Sequence, residues 1–133
     1  MSTTTGEADA LRLLGTVPYG RIATSMRALP LVVPAHHVVA DGAVLVRIHR
    51  GPGHHRACHG AVVAYAADTF PTGADTLWSA QVVGTARILE PDERVRALFG
   101  PAPHRVDGAA FDPVHLRIEP RFGTVHSLDG TAK

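Results

Sequence analysis

The chain has 133 residues, 45% of them hydrophobic, and a formal net charge of +1, which fits one domain over residues 1–133. Its 13 basic and 12 acidic residues exclude the charge excess typical of proteins that bind nucleic acid or membrane surfaces. No apolar run approaches the roughly 20 residues of a membrane span. Cys58 is the one cysteine, which excludes an intrachain disulfide, and residues 1–7 lack a signal-peptide pattern, so we expect a cytoplasmic protein.

A short helix is expected first in the chain. Thr4 and Glu7 have the spacing of a capping box, and Pro18 with Gly20 provides a stop. Between them, apolar residues recur at the positions of one helix face: Ala10, Leu13, Leu14 and Val17. This stripe is narrow, which is typical of a helix that lies across a sheet.

Two strands and a tight turn follow this helix. Strands are predicted over 21–26 and 31–40, and Pro34 places the second at a sheet edge or a bulge, because proline cannot donate to a strand neighbour. Asp41-Gly42 between valine-rich stretches predicts a type I′ hairpin turn. In the next strand the side chains alternate between two faces, one with Val44, Val46 and Ile48 and the other with Leu45 and Arg47.

The middle of the chain predicts a short helix and two apolar strands. Arg50–Gly53 ends the preceding strand, and a short helix is predicted over His54–His59. Ala61–Ala67 is almost continuously apolar, which indicates a strand covered on both faces. Trp78–Leu89 is the longest strand candidate, and it has a polar face with Ser79, Gln81, Thr85 and Arg87 and an apolar face with Trp78, Ala80, Val82, Ala86 and Ile88.

The last third of the chain predicts a helix, a loop and two strands. Pro91 at the first helical position begins a helix over Asp92–Phe99. Pro101–Pro113 is a loop interrupted by prolines. Strands are predicted over 114–118, where apolar and polar residues alternate, and over 122–127.

These elements together predict a mainly β fold. Six strands in hairpin order, with helices at the start, in the middle and before the last strand pair, indicate a six-stranded antiparallel split β-barrel with short peripheral helices. Regular alternation of strands and helices is lacking, which argues against a doubly wound parallel sheet.

The order of several motifs resembles a known family. Gly20-Arg21-Ile22-Ala23-Thr24 follows the first helix, Asp41-Gly42 follows a proline-containing strand, and Trp78-Ser79 leads into Val82–Ala86. Over about Leu11 to His126 this order is similar to the pyridoxamine 5′-phosphate oxidase-like family of FMN-binding split barrels. The resemblance implies a homodimer with FMN in clefts between two barrels, and oxidoreductase activity on a small-molecule substrate.

One stretch matches the place where this family binds the cofactor phosphate. The family pattern there is Arg-Thr, two residues, Gly, one residue and Lys; here Arg47 and Gly51 match, while Ile48 replaces the threonine and Gly53 replaces the lysine. The residues themselves still favour an anion, because arginines flank a Gly-Pro-Gly turn before a short helix. The predicted phosphate-binding residues at this stretch are Arg47, Ile48, Arg50, and His54 or His55 in place of the missing lysine.

A second stretch matches the family region that approaches the flavin ring from the partner subunit. The resemblance implies this role for Trp78, Ser79 and Gln81. Serine and glutamine can both serve the hydrogen-bonding edge of a flavin. The alternative is that the tryptophan belongs to the core or a dimer interface and that the other two lie on an ordinary polar sheet face.

Histidines form the other candidate set. His55 and His59 are four residues apart, but zinc normally needs a third protein ligand and no HExxH glutamate accompanies them, so no metal site is predicted. One imidazole can bind haem iron axially, and the candidates are His36, His37, His49, His54, His55 and His59. Cys58 beside His59 is expected to be a buried spectator thiol, because adjacent helical residues do not face each other.

The sequence therefore predicts a small FMN-dependent oxidoreductase, with no catalytic residue or substrate identified. Two alternatives stay open: a haem-binding split barrel, and a flavin-independent relative that has lost FMN and uses the cleft for another ligand or reaction. The 101–113 loop, with His104 and Arg105, either lines the mouth of the pocket or only connects its neighbours.

Overall fold

The computed structural model describes residues 3–73 and 75–129, and six of its strands close into an antiparallel barrel. The three α-helices are α1 (Thr3–Leu14), α2 (His54–Cys58) and α3 (Glu93–Phe99). The strands are β1 (Tyr19–Met26), β2 (Leu29–Ala40), β3 (Ala43–His49), β4 (Val62–Asp68), β5 (Thr76–Leu89), β6 (Arg105–Val106), β7 (Ala109–Ala110) and β8 (Pro113–Asp129). The predicted mainly β fold, a six-stranded antiparallel split barrel with short peripheral helices, is confirmed.

The strand order differs from the predicted hairpin order. Around the barrel the neighbours are β1, β2, β3, β8, β5 and β4, and β4 pairs with β1 to close it. β3 pairs with the distant β8, as Val46 opposite Leu116 illustrates. In this order every barrel strand has two neighbours, and β8 takes the place beside β3 that a hairpin order would give to β4.

The β2–β3 hairpin confirms the turn prediction. Asp41 and Gly42 have φ angles of 54° and 74°, and positive values at both central residues define a type I′ turn. The proline prediction also holds, because Pro34 pairs with Arg21 of β1, whereas pairing with β3 begins only at His36. Proline therefore lies in a part of β2 that has one neighbour.

Helix α1 packs across β8 and β5, with Ala10 and Leu14 fully buried. The approach is close because a glycine faces the helix: a Cβ on Gly123 would lie 2.9 Å from the Ala10 Cβ. The helix begins at Thr3, so Thr4 lies inside it, and the capping-box prediction is wrong because a cap residue must precede the helical backbone.

A buried histidine joins this helix to the barrel. His37 is 2% exposed, and its Nε2 lies 2.7 Å from the Leu14 carbonyl oxygen, which can only accept. Nε2 therefore carries the proton, and Nδ1 accepts from the Tyr65 hydroxyl at 2.5 Å. Burial lowers the pKa of His37, which agrees with this neutral form, and burial raises the pKa of Tyr65.

Strand β8 is one long strand where the sequence predicts two. It pairs with β5 from Thr76 to Leu89, and the register shifts between Val83 and Gly84. Pro120 lies between the two predicted segments, inside the strand at this irregularity, where a missing backbone donor is tolerated.

Two smaller predictions are also corrected. Asp92 caps α3, accepting a hydrogen bond from the Val95 backbone N–H at 2.9 Å, so Pro91 precedes the helix and does not begin it. Strand β4 alternates between a buried face and a half-buried face within this chain, with Val62 54% exposed, so it is not covered on both faces. The outer face of this strand carries Val62, Ala64 and Ala66, which the single chain leaves exposed or half-buried.

Among the helices in the described part of the chain, none has the length and apolar character needed to cross a lipid bilayer.

Candidate functional site

A cavity of about 620 Å³ lies between β2, β3 and the loop that follows α3. Four prolines line it, at positions 34, 52, 101 and 103, together with Val33, Val106 and Phe111. The polar and charged lining residues are His36, Arg47, His49, His54 and Asp107. A rigid, mostly apolar wall with a few polar groups is typical of a small-molecule or cofactor site.

Arg47 holds the loop that forms one wall of this cavity. It is 6% exposed, and its guanidinium donates to the carbonyl oxygens of Gly100 at 3.0 Å and Pro101 at 3.3 Å. The same guanidinium lies 5.2 Å from the centre of the Phe99 ring. Its Nε–H has no acceptor among the described residues. The arginine thus fixes the start of the loop and retains one unused donor.

His36 is the third partner of Arg47. Its Nδ1 accepts from the Arg47 Nη2 at 3.0 Å, and an arginine can only donate, so His36 Nδ1 is unprotonated. The ring stands edge-on to Phe99, with centroids 5.2 Å apart. Burial, followed by repulsion from Arg47, lowers the pKa of His36, which keeps it neutral at pH 7.

His49 and Phe111 form a second aromatic pair at the cavity. Their ring centroids are 5.6 Å apart and the planes lie at 28°, a stacked arrangement. His49 Nδ1 accepts from the Asp112 backbone N–H at 3.0 Å, which fixes the ring. A Cβ on Gly51 would lie 2.5 Å from His49 Nε2, so a larger residue there would require the His49 ring to move.

The predicted phosphate-binding residues are only partly brought together. Arg47 and His54 line the cavity; Ile48 lines it too, but its side chain belongs to the barrel core and adds no donor. Arg50 is not a lining residue and pairs with Asp112 at 3.2 Å. His55 is 4% exposed, with an Nδ1 that has no partner in the described chain. Burial, with the nearby arginines, lowers the pKa of His55.

The residues predicted to border the ring lie elsewhere in the same chain. Trp78, Ser79 and Gln81 are half-buried on β5 and do not line the cavity. Trp78 packs against the main core, while Ser79 and Gln81 lie on the opposite, outward face of the strand. Their predicted role, contact with the cofactor of the partner subunit, stays a prediction.

Two other predicted candidates, His59 and Cys58, belong to the structural framework of the barrel. His59 Nδ1 accepts from the Ile88 backbone N–H at 2.9 Å, and Cys58 is fully buried, which raises the pKa of its thiol. No three metal-ligating side chains meet within residues 3–73 and 75–129. The 101–113 loop does line the cavity, but through residues other than His104 and Arg105.

Sequence reasoning missed the aromatic residues of this site. Tyr19 and Phe111 line the cavity, and Phe99 lies under Arg47, although the chain has only two tyrosines and four phenylalanines. Their scarcity is a signal that could have been used. In a chain whose core is built from aliphatic residues, a group of rings indicates a place where flat or cationic groups are held.

Comparison with known sequences identifies the family of this chain. Residues 6–127 match the family described as pyridoxamine 5′-phosphate oxidase. The chain is 35% identical over 121 residues to an uncharacterized protein of Mycobacterium tuberculosis, covering 87% of this chain and 78% of that protein.

Solved structures share the fold. A FAD-binding protein from Mycobacterium smegmatis has a TM-score of 0.66 at 25% identity, covering 92% of this chain and 95% of that one. A FAD-binding protein from Mesorhizobium loti gives 0.67 at 17% identity, covering 90% and 91%. A haem-binding protein from Mycobacterium smegmatis gives 0.66 at 18% identity, covering 100% of this chain and 56% of that one. With its barrel, its cavity and the match over residues 6–127, the chain belongs to the pyridoxamine 5′-phosphate oxidase family.

Proposed function

We propose that this protein binds a flavin nucleotide, FMN, noncovalently and acts as an oxidoreductase on a small molecule. The observation that supports the proposal is the cavity of about 620 Å³, whose walls are mostly proline, valine and aromatic side chains. This composition suits a flat ring system oriented by a few hydrogen bonds. Family membership and a FAD-binding relative at 25% identity favour the same cofactor class.

The residues of the cavity fit a flavin ring and leave a short set of donors for its phosphate. His54 adds an imidazole at the wall, and Arg47 also lines the cavity, although its one Nε–H without an acceptor among the described residues is buried. Arg50 can join them only by leaving Asp112, and both side chains of this ion pair are more than half exposed, so the exchange costs little.

The cofactor and the chain would contribute different things to the reaction. When bound, a flavin supplies hydride-transfer chemistry. The part of the chain is to hold the ring between β2, β3 and the loop after α3, to exclude water with that loop, and to keep His36 neutral beside Arg47. No side chain in the described cavity is assigned as a catalytic acid or base.

A cofactor titration tests this proposal. We expect the purified protein, as isolated or after addition of FMN, to show the two-band visible spectrum of oxidised flavin. His54→Ala is expected to weaken FMN binding about tenfold, the effect of losing one hydrogen bond to a charged group. His104→Ala is the matched control, because His104 is exposed and does not line the cavity. Absence of binding of both FMN and FAD would overturn the proposal.

Haem is a second candidate, favoured by three imidazoles in one apolar cavity. Of the six histidines considered, His36, His49 and His54 line it. Titration with haemin separates the candidates, because an axially ligated haem gives one intense Soret band that disappears when its ligand is replaced by alanine. A protein that binds neither flavin nor haemin would support the remaining alternative, a flavin-independent use of the cavity.

We also propose that the protein is a homodimer with the cofactor cleft at the subunit interface. An apolar row crosses the outward face of the barrel in register: Val32, Ala23, Ala64, Val83 and Phe122. Val32 is 64% exposed and Phe122 is 42% exposed in the single chain. Ser79 and Gln81 lie on this same face of β5, which favours their contact with a partner's cavity.

The dimer proposal is tested by light scattering. A buried, unpaired charge disrupts an interface, so Val83→Glu is expected to convert the dimer to a monomer. Leu98→Glu is the control, since Leu98 is 46% exposed on α3, away from this row. A monomeric mass for the unmodified protein would contradict the proposal.

A further inference from the structure

A second recess lies on the outside of the barrel, where β5 meets β8. We call it the bulge recess; its volume is about 470 Å³, and its lining residues are Thr85, Arg87, Arg117, Glu119, Pro120 and Arg121. It shares no residue with the cavity described above. Three of its six side chains are arginines, in a chain whose net charge is only +1.

An irregularity in the strand pairing brings the third arginine into this group. Val83 pairs with Phe122, but its neighbour Gly84 pairs with Pro120, so Arg121 is an extra residue in β8. Such a bulge redirects side chains, and here it adds Arg121 to the recess. The close approach requires glycine, because a Cβ on Gly84 would overlap the carbonyl group of Glu119.

The charges in the bulge recess are not balanced. Arg87 and Arg117 lie directly opposite each other on the two strands, an arrangement of like charges that destabilises a sheet. Glu119 accepts from the Arg117 Nε at 2.5 Å, and Arg121 donates to the Thr85 hydroxyl oxygen at 2.9 Å. Arg87 has no partner among the described residues. Three guanidinium groups and one carboxylate leave a local charge of about +2.

We infer that the bulge recess binds the phosphate group of a small phosphorylated molecule. A phosphate dianion matches the excess of two positive charges, and its oxygens accept from several planar guanidinium groups at once. A single carboxylate is a poorer match, because it brings one charge and two oxygens. The Thr85 hydroxyl adds one more group able to hydrogen-bond a phosphate oxygen.

A titration with inorganic phosphate tests this inference. The observable is the ¹H–¹⁵N NMR spectrum of the purified protein in low salt, because it distinguishes the two sites. We expect saturable shifts of the backbone amides at 85–87, 117–119 and 121, larger than any at 49–51 and 53–55. Affinity is expected to fall as sodium chloride is added, because the contacts are ionic. Shifts centred on 49–55, or none that saturate, would overturn the inference.

Substitutions make the test sharper. Arg87→Gln is expected to weaken phosphate binding about tenfold, the effect of one charge-assisted contact. The same variant is expected to raise the unfolding temperature slightly, because it removes a like-charge neighbour of Arg117. Arg94→Gln is the control; Arg94 is also exposed but pairs with Asp41 far from the recess. Equal weakening in both variants would show general charge attraction and overturn the site.

Phosphate binding at the bulge recess is expected to be independent of the proposed cofactor. Phosphate shifts at the bulge recess are expected to persist in the presence of saturating FMN and in His54→Ala. A protein that shows the phosphate shifts but does not bind flavin would contradict the proposed function alone. A protein that binds flavin but shows no phosphate shifts would contradict phosphate binding at the bulge recess alone.

Discussion

Arg47 at the cavity and Arg87 at the bulge recess both lie on barrel strands, but their surroundings differ. Arg47 is 6% exposed and donates to His36 and to two backbone carbonyls. Arg87 is exposed, lies opposite Arg117, and has no partner among the described residues. Burial with several acceptors makes the first guanidinium a structural clamp, whereas exposure beside like charges leaves the second one free for an anion.

The largest loss of stability is expected at the bulge. Gly84→Ala places a Cβ against the Glu119 carbonyl group, so the strands must separate, and we expect a loss of about 3 kcal/mol in the free energy of unfolding. Urea denaturation measures this loss. Gly15→Ala is the control, because a Cβ there makes only ordinary contacts of 3.5 Å or more. Equal stability of both variants would show that the bulge tolerates a side chain.

At the cavity, Arg47→Met removes the clamp and keeps much of the side-chain volume. The Gly100 and Pro101 carbonyls then lose their donor, and we expect a loss of about 2–3 kcal/mol for these unsatisfied groups. Limited proteolysis should cut faster within 101–112, since this loop is no longer held. Unchanged stability and cleavage would mean that Arg47 does not hold the loop.

A buried histidine outside both regions, His37, is expected to make stability depend on pH. The pKa of His37 is lowered by burial, so the unfolded chain takes up the proton first as pH falls below about 6.5. The contribution of His37 to the free energy of unfolding is fully present above that pH. It decreases below that pH by at most about 1.4 kcal/mol per pH unit, until the lowered pKa is reached. Denaturation from pH 7.5 to 5 measures the slope. His37→Gln should be less stable at pH 7.5 and show a shallower slope.

The smallest effect is expected at an exposed ion pair near the cavity. Arg50 and Asp112 are both more than half exposed, so Arg50→Gln should change the free energy of unfolding by about 0.5 kcal/mol or less. A clearly larger loss would mean that this pair, like Arg47, helps to hold the loop. Thermal unfolding of Arg50→Gln beside Arg47→Met makes the comparison directly.

Local features of the fold were predictable from the sequence. The Asp41-Gly42 turn, the alternating faces of β5 and the short helix after Gly53 each depend on residues close together in the chain. Propensity and periodicity act over that range. The failed predictions, such as the division of β8 into two strands, arose where pairing with a distant strand continues the element.

The candidate site was only half predictable. The stretch after Arg47 indicated an anion or cofactor site, and Arg47 and His54 do line the cavity. No sequence pattern indicated that Arg47 would donate to the carbonyls of Gly100 and Pro101, more than 50 residues away. A guanidinium binds whichever acceptors the fold brings to it, so its partners cannot be known before the chain is folded.

By itself, then, the sequence determined where most strands, the β2–β3 turn and the helices form, because backbone preference and alternation are properties of neighbouring residues. Only the tertiary structure decided that β3 pairs with β8, that Arg121 joins Arg87 and Arg117 in one recess, and which arginine stays free. These outcomes depend on strand register and on burial, which are set when segments distant in the chain pack together.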